Sequence, residues 1–171
     1  MSALNLTLST LERTQQFGAL LAGLLQPGDR LFLIGEIGAG KTTLARAIGA
    51  ALQADPPLTS PTFVLMSEHH GTMPIWHGDA YRLPDGSDPL AHGLIDERQA
   101  SGLTIMEWPN LLNWPTSGGG AAQITITLQP GATEEQRIAQ VDWADAVRHQ
   151  RLRDRVRQRL LQNEAPGQAR D

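Results

Sequence analysis

Lys41 is the single lysine in a chain whose other thirteen basic residues are arginines. It lies in Gly35-Glu36-Ile37-Gly38-Ala39-Gly40-Lys41-Thr42, a full match to G-x-x-x-x-G-K-[ST]. This pattern does phosphate chemistry. Its glycines let backbone N–H groups turn toward phosphate oxygens, and a helix starting at the lysine adds its positive dipole end. A compact ammonium on a flexible stem can reach between terminal phosphates, where a broad planar guanidinium fits poorly. That accounts for a lysine at this one position in an arginine-preferring chain. Gly38, Ala39, Gly40, Lys41, Thr42 and Thr43 are the expected phosphate-binding stretch, and the Thr42 hydroxyl is a ligand for Mg²⁺.

A phosphate loop with a metal needs a carboxylate beside it. Glu107 ends the apolar run Leu103-Thr104-Ile105-Met106, where a Walker-B-type acid belongs. Asp79 follows Ile75-Trp76-His77 and has the same logic; a solvated strand-end carboxylate is the alternative for each, and it is stronger for Asp79 than for Glu107. Thr62, in Ser60-Pro61-Thr62-Phe63, lies about twenty residues after Thr42, where switch loops occur. It could sense the γ-phosphate or orient water; a plain turn is an equal alternative. His77 is the one plausible catalytic histidine by context, although a histidine on a strand is more often packed or on a polar face than a base; His69, His70 and His92 read as loop or helix surface. Arg82 could meet a phosphate or pair with an acid. Trp108 reads as core or partner contact.

The elements around these residues follow from periodicity. Residues 4–8 alternate and predict a strand facing one core. Ser9 and Glu12 are spaced as a capping box, predicting a helix from near Thr10 through Leu20, Leu21, Leu24 and Leu25. Residues 30–34 read as a buried strand, and residues 42–52 as a helix with Leu44, Ala47, Ile48, Ala51 and Leu52 on one face. Residues 62–67 and 74–77 suggest a hairpin, residues 90–99 a short helix, and 103–106 a buried strand. Residues 123–128 alternate cleanly, and 137–143 are a weaker strand. Residues 144–161 predict a helix with Leu152, Val156 and Leu160 spaced by four. Strand, glycine loop and helix in this order predict an α/β, P-loop NTPase-like three-layer sandwich with a mixed, largely parallel central sheet.

Composition narrows the class. The 171 residues suffice for one α/β domain, and no cysteine is present. Residues 1–5 have no signal-peptide character and no apolar stretch approaches membrane-spanning length, so a soluble cytoplasmic protein is expected. Net charge is −4, but residues 1–147 carry −8 and residues 148–171 carry +4. The expected organisation is a P-loop domain over 1–147 and a basic helix and tail over 148–171. Arginines at 148, 151, 153, 155, 157 and 159 most often mean a solvated helix face, with RNA contact the second reading. The sole lysine rules out the Asn-Lys-x-Asp motif of guanine-specific GTPases, and no Leu-Ser-Gly-Gly signature of transporter ATPases occurs.

Gly35 through Thr43, Ser60-Pro61-Thr62-Phe63, His77-Gly78-Asp79-Ala80-Tyr81-Arg82-Leu83 and Glu107-Trp108-Pro109 occur in this order and spacing. The set resembles the TsaE (YjeE) family of small bacterial P-loop ATPases needed to make threonylcarbamoyladenosine in tRNA. The resemblance covers roughly residues 4–143. It implies ATP/ADP and Mg²⁺ as cofactors, with phosphates on the loop and Mg²⁺ held by Thr42 and Glu107. It also implies a role for Asp79 in hydrolysis, and TsaB and TsaD as partners, with tRNA met through that complex. ATP hydrolysis would reset the complex between turnovers. Thr10 and Leu11 would lie near the adenine. The family's late Gly-Arg pair is spread here over residues 131–137, leaving Arg137 as its candidate. Asn110 departs from the family's usual Glu or Gln after Glu-Trp-Pro. The alternatives are a small-molecule P-loop kinase and a nucleotide-dependent adaptor.

Overall fold

The computed structural model describes residues 3–60, 65–115 and 123–161. Seven strands form one sheet: β1 (Leu4–Leu8), β2 (Arg30–Ile34), β3 (Met66–His69), β4 (Ile75–Asp79), β5 (Leu103–Glu107), β6 (Gln123–Pro130) and β7 (Arg137–Trp143). Their spatial order is β1-β7-β6-β2-β5-β4-β3. The inner block β6-β2-β5-β4 is parallel, and β7, β1 and β3 add antiparallel edges. Sequence character matches position. All five residues of β5 are buried, as a strand covered on both faces requires, whereas β6 and β7 alternate between buried and more exposed positions.

Three helices, α1 (Leu11–Ala22), α2 (Lys41–Ala51) and α3 (Ala146–Val156), contribute to one apolar cluster. Phe17 and Leu21 of α1, Leu44 and Ile48 of α2, and Leu152 and Val156 of α3 meet Leu31, Leu33, Leu103, Ile105, Ile124 and Ile126 of the sheet there. A smaller cluster holds Phe32 and Met106, the residues that alternate to the other face, under Ala80, Leu94 and Leu112. The third layer is therefore irregular chain with two short 3₁₀ turns, Glu97–Ser101 and Pro109–Leu111.

Several expectations need correction. No helix spans 90–99. Pro89 lacks an N–H, Asp88 accepts the Leu90 N–H at 2.9 Å, and Gly93 turns the chain at φ 69°. Thr10 rather than Ser9 caps α1, accepting the Arg13 N–H at 3.2 Å. Glu12 instead accepts from the Gln16 side chain at 3.3 Å. α1 stops at Ala22, leaving Leu24 and Leu25 buried in the turn beyond. On α2, Ala45 and Gly49 are buried and Ala51 is exposed, because the returning chain lays Leu58 against Gly49. His69 is buried in β3, bonded to the Pro56 carbonyl at 2.7 Å and Ser67 at 2.9 Å.

α3 begins where the Asp145 side chain accepts the Arg148 N–H at 3.0 Å, and Leu152, Val156 and Leu160 turn into the main core. The helix continues through a π turn, Arg157–Leu161. The end of the expected basic tail, residues 162–171, lies outside the described residues. No helix among the described residues is long and apolar enough to cross a membrane.

Candidate nucleotide-binding site

Topology brings the chemistry to one edge. Parallel β2, β5 and β4 end together, delivering the glycine loop, Glu107 and Asp79. Antiparallel β7 starts at that edge with Arg137, and β1, paired Leu8 to Arg137, ends there and leads into Thr10 and Leu11. Open α/β sheets bind ligands at this carboxyl edge.

The loop has the conformation its glycines permit. Gly38 and Gly40 take φ of 81° and 102°, and a Cβ on Gly40 would come within 3.3 Å of the Arg137 Nε. Gly40 begins α2 with no side-chain cap, so first-turn N–H groups remain for an anion. Lys41 is buried, and its Nζ donates to the carbonyls of Gly35 at 2.6 Å and Glu36 at 2.8 Å. The ammonium also lies 4.3 Å from the Trp108 ring centroid. Burial lowers the Lys41 pKa below the ordinary lysine value, against the opposing pull of Glu107, Asp79 and Glu36.

Glu107 is buried and fully engaged. The Thr42 hydroxyl sits 3.0 and 2.9 Å from its two oxygens, and His77 Nε2 donates to Oε1 at 2.9 Å. The two-residue spacing in His77-Gly78-Asp79 puts both side chains on one face of β4. His77 lies fully buried, and Asp79, directly across from Glu107, sits at the mouth. Asp79 accepts the Tyr81 N–H at 2.8 Å. Burial raises its carboxyl pKa above the usual range, that N–H partly offsets the rise, and Glu107 adds to it.

The cavity over this edge measures about 380 Å³ and is lined by the loop, Thr42, Thr43, Ser60, Asp79, Glu107, Tyr81, Trp108 and Arg137. Arg137 donates to the Gly38 carbonyl at 3.3 Å and holds its own turn through the Gln136 carbonyl at 2.9 Å. Leu11 is exposed and lines an adjoining groove of about 520 Å³ with Gln15, Arg46, Ala47 and Thr43, so Thr43 is common to both spaces. Thr10 lines neither cavity and serves as the α1 cap. Thr62 lies outside the described residues. Arg82 is exposed and away from the cavity.

Sequence reasoning missed the aromatic wall. Trp108 is neither plain core nor free surface. Its backbone is left-handed at φ 57°, unusual for a bulky residue, and its ring packs on Tyr81 with centroids 4.9 Å apart. A tryptophan between strand-end Glu107 and Pro109 is the one signal that could have suggested it.

The donor set can be tested against Mg²⁺. Thr42 and Glu107 offer hard oxygens within 3.0 Å of one another. Among the described residues no group of three or more His, Cys, Asp or Glu side chains could hold a metal. Two protein oxygens suit an ion that keeps its waters and shares substrate phosphates, rather than one in a closed protein cage.

Sheet, glycine loop and following helix define a protein of the P-loop NTPase-like class. The family model described as threonylcarbamoyl adenosine biosynthesis protein TsaE matches residues 8–139, and the chain belongs to that family. The chain is similar to proteins named tRNA threonylcarbamoyladenosine biosynthesis protein TsaE. With that of Mycobacterium leprae it is 34% identical over 147 residues, 77% of this chain and 86% of the relative. With that of Bacillus subtilis it is 36% identical over 102 residues, 59% and 63% of the two chains. With that of Streptomyces coelicolor it is 40% identical over 97 residues, 55% and 66%. The chain thus spans a little under two thirds of the last two relatives. A crystal structure of Bacillus subtilis YdiB superposes with a TM-score of 0.61 at 24% identity, over 92% of this chain and 97% of that one, and has the same fold.

Proposed function

We propose that the protein is an Mg²⁺-dependent ATPase serving threonylcarbamoyladenosine formation in tRNA, working in the cytoplasm with TsaB and TsaD. The observation that carries this reading is the contact of Thr42 with both oxygens of Glu107, across 65 residues of chain, directly under the loop that holds Lys41. On this reading the loop N–H groups and the start of α2 bind the β- and γ-phosphates. Lys41 leaves the Gly35 and Glu36 carbonyls for the terminal phosphate oxygens. Thr42 and Glu107 would hold Mg²⁺, whose chemistry is to neutralise charge developing on those oxygens. Asp79 orients a water at the cavity mouth and accepts its proton. Water oxygen bonds to the γ-phosphorus, the bond to the bridging oxygen breaks, and ADP and phosphate leave. Arg137 fixes the loop through Gly38. The groove at Leu11 receives the adenine, next to Thr43. Tyr81, exposed at the pocket's rim and packed on Trp108, gives a partner protein something to cover, which supports an activity that partners control.

The test mixes the protein with ATP and Mg²⁺, with and without TsaB and TsaD, and measures ADP. Partner-stimulated ADP release that fails without Mg²⁺ is the expected result. Phosphorylation of an added small metabolite in place of hydrolysis would replace this reading with that of a kinase.

A further inference from the structure

α3 lies beyond the stretch matched by the family model, which ends at residue 139. It is no loose tail. Leu152, Val156 and Leu160 are buried, and Arg148 anchors it through the carboxylates of Asp29 and Asp145. Its outward side is therefore held in place. Arg151 and Arg155 of α3 and Arg159 of the π turn that continues it line one side, and Arg157 lies across the buried Val156 from Arg155; all four are exposed. None of the four forms an ion pair among the described residues. Arg151, Arg155 and Arg159 follow one another at intervals of four, a spacing at which like charges on a helix repel. A merely solvated helix face relieves such repulsion with acids a turn away. Here the one acid of α3, Asp154, accepts from Gln150 at 3.0 Å.

Arg155 and Arg159 also form one wall of a cleft of about 360 Å³ between α1 and α3, completed by Gln16, Ala19 and Leu20. The wall offers guanidinium N–H donors and no acceptor, over an apolar floor. We infer that this ridge and cleft dock RNA through its backbone phosphates. A guanidinium fork matches a phosphate's oxygens two by two. Arg151 and Arg155, about 6 Å apart along α3, with Arg159 in the turn beyond, make a row of cations that suits a polyanion. Ala19 is exposed on the floor and offers an apolar spot for a sugar to rest against. Residues 1–147 carry −8, so the rest of the surface repels RNA and directs it to this ridge. The site is separate from the Lys41 cavity, so the inference stands independently of ATP hydrolysis.

The experiment measures binding of fluorescently labelled tRNA and of polyuridylate to the full chain by anisotropy, from 50 to 200 mM salt. Wild-type affinity should fall steeply with salt. Arg155→Gln with Arg159→Gln should make the log–log salt slope shallower by about 1.4–1.8, at roughly 0.7–0.9 per lost phosphate contact. Arg151→Gln with Arg157→Gln should act in the same direction. Thermal unfolding and ATP turnover should be unchanged in both, since these side chains are exposed and remote from the cavity. Absent wild-type binding, or binding that neither pair of substitutions weakens, overturns the inference. Polyglutamate displacing the RNA as well as unlabelled RNA does, charge for charge, would assign the ridge to an acidic protein and overturn it too.

Discussion

Two buried cations divide this molecule between folding and chemistry. Arg148 and Lys41 are both almost fully buried, and each lies against a tryptophan, Trp143 at 5.0 Å and Trp108 at 4.3 Å. Arg148 is saturated with charge. Its guanidinium reaches both Asp29 oxygens at 2.6 and 3.0 Å, Asp145 at 2.7 Å and the Leu24 carbonyl at 3.3 Å. Burial alone would lower its pKa, but the bonds to Asp29 and Asp145 raise it above the ordinary value. Lys41 has carbonyl partners only, and its carboxylate neighbours act from a distance, so burial dominates and its pKa falls. A cation whose counter-charge is built in ties elements together. One whose counter-charge is missing is held ready for an anion that arrives from outside.

The largest effect should come from breaking the saturated cation. Arg148→Ala strands buried Asp29, at about 3–5 kcal/mol of folding stability. That corresponds to roughly a 10 °C lower Tm by calorimetry or circular dichroism for a chain of this size. ATP turnover measured well below the Tm should survive. Lys41→Ala should invert that pattern. Turnover should fall by about 10²–10³-fold, as for removal of one aimed donor, while Tm stays level or rises. Lys41→Arg should be nearly as inactive as Lys41→Ala; an arginine variant with near-normal turnover would show that the loop tolerates any cation.

Glu107→Gln keeps shape and loses charge, so it should bind nucleotide yet need far more Mg²⁺ for turnover. Asp79→Asn should cut hydrolysis more than binding, which equilibrium binding and steady-state rates separate. His77→Leu removes the donor that orients Glu107 and should raise the Mg²⁺ concentration needed for turnover by roughly 10–100-fold, the usual range for groups behind a metal ligand. His77→Gln, which can present an N–H near the same place, should recover part of it. Equal loss in both would make His77 a packing residue.

The smallest effect is a pH slope. Because the folded-state Lys41 pKa lies below its unfolded value, the charged lysine disfavours folding. That penalty is complete below the folded value and fades as pH rises toward 10.5. The stability gap between Lys41→Met and wild type should therefore narrow over that window in chemical denaturation. Arg148 titrates above it and should contribute no slope.

Much of the site was legible because its signals are local. The glycine loop, Lys41 and Thr42 are adjacent in sequence, and their strand and helix carry plain periodicities of two and 3.6. Glu107 and Asp79 were legible as strand-end acids. Arg137 was harder. Its turn scatters the family's Gly-Arg pair, and only β6–β7 pairing places it over Gly38. The irregular layer over Phe32 and Met106 misled in the opposite way, since residues 90–99 have helical composition but Pro89, Asp88 and Gly93 enforce turns. α1 slipped by one residue at its cap because Ser9 and Thr10 compete for the same role, and geometry chose Thr10.

By itself, then, the sequence determined the glycine loop, the class of fold and the strand-end acids beside it, because those depend on residue type, spacing and backbone freedom along a short stretch. Tertiary structure alone decided which acid meets Thr42, that His77 stands behind Glu107, that Trp108 roofs Lys41, and that the basic helix is anchored by Arg148 rather than trailing. Each of these is a contact between residues tens of positions apart. Strand order and register fix such contacts, and no local pattern encodes them.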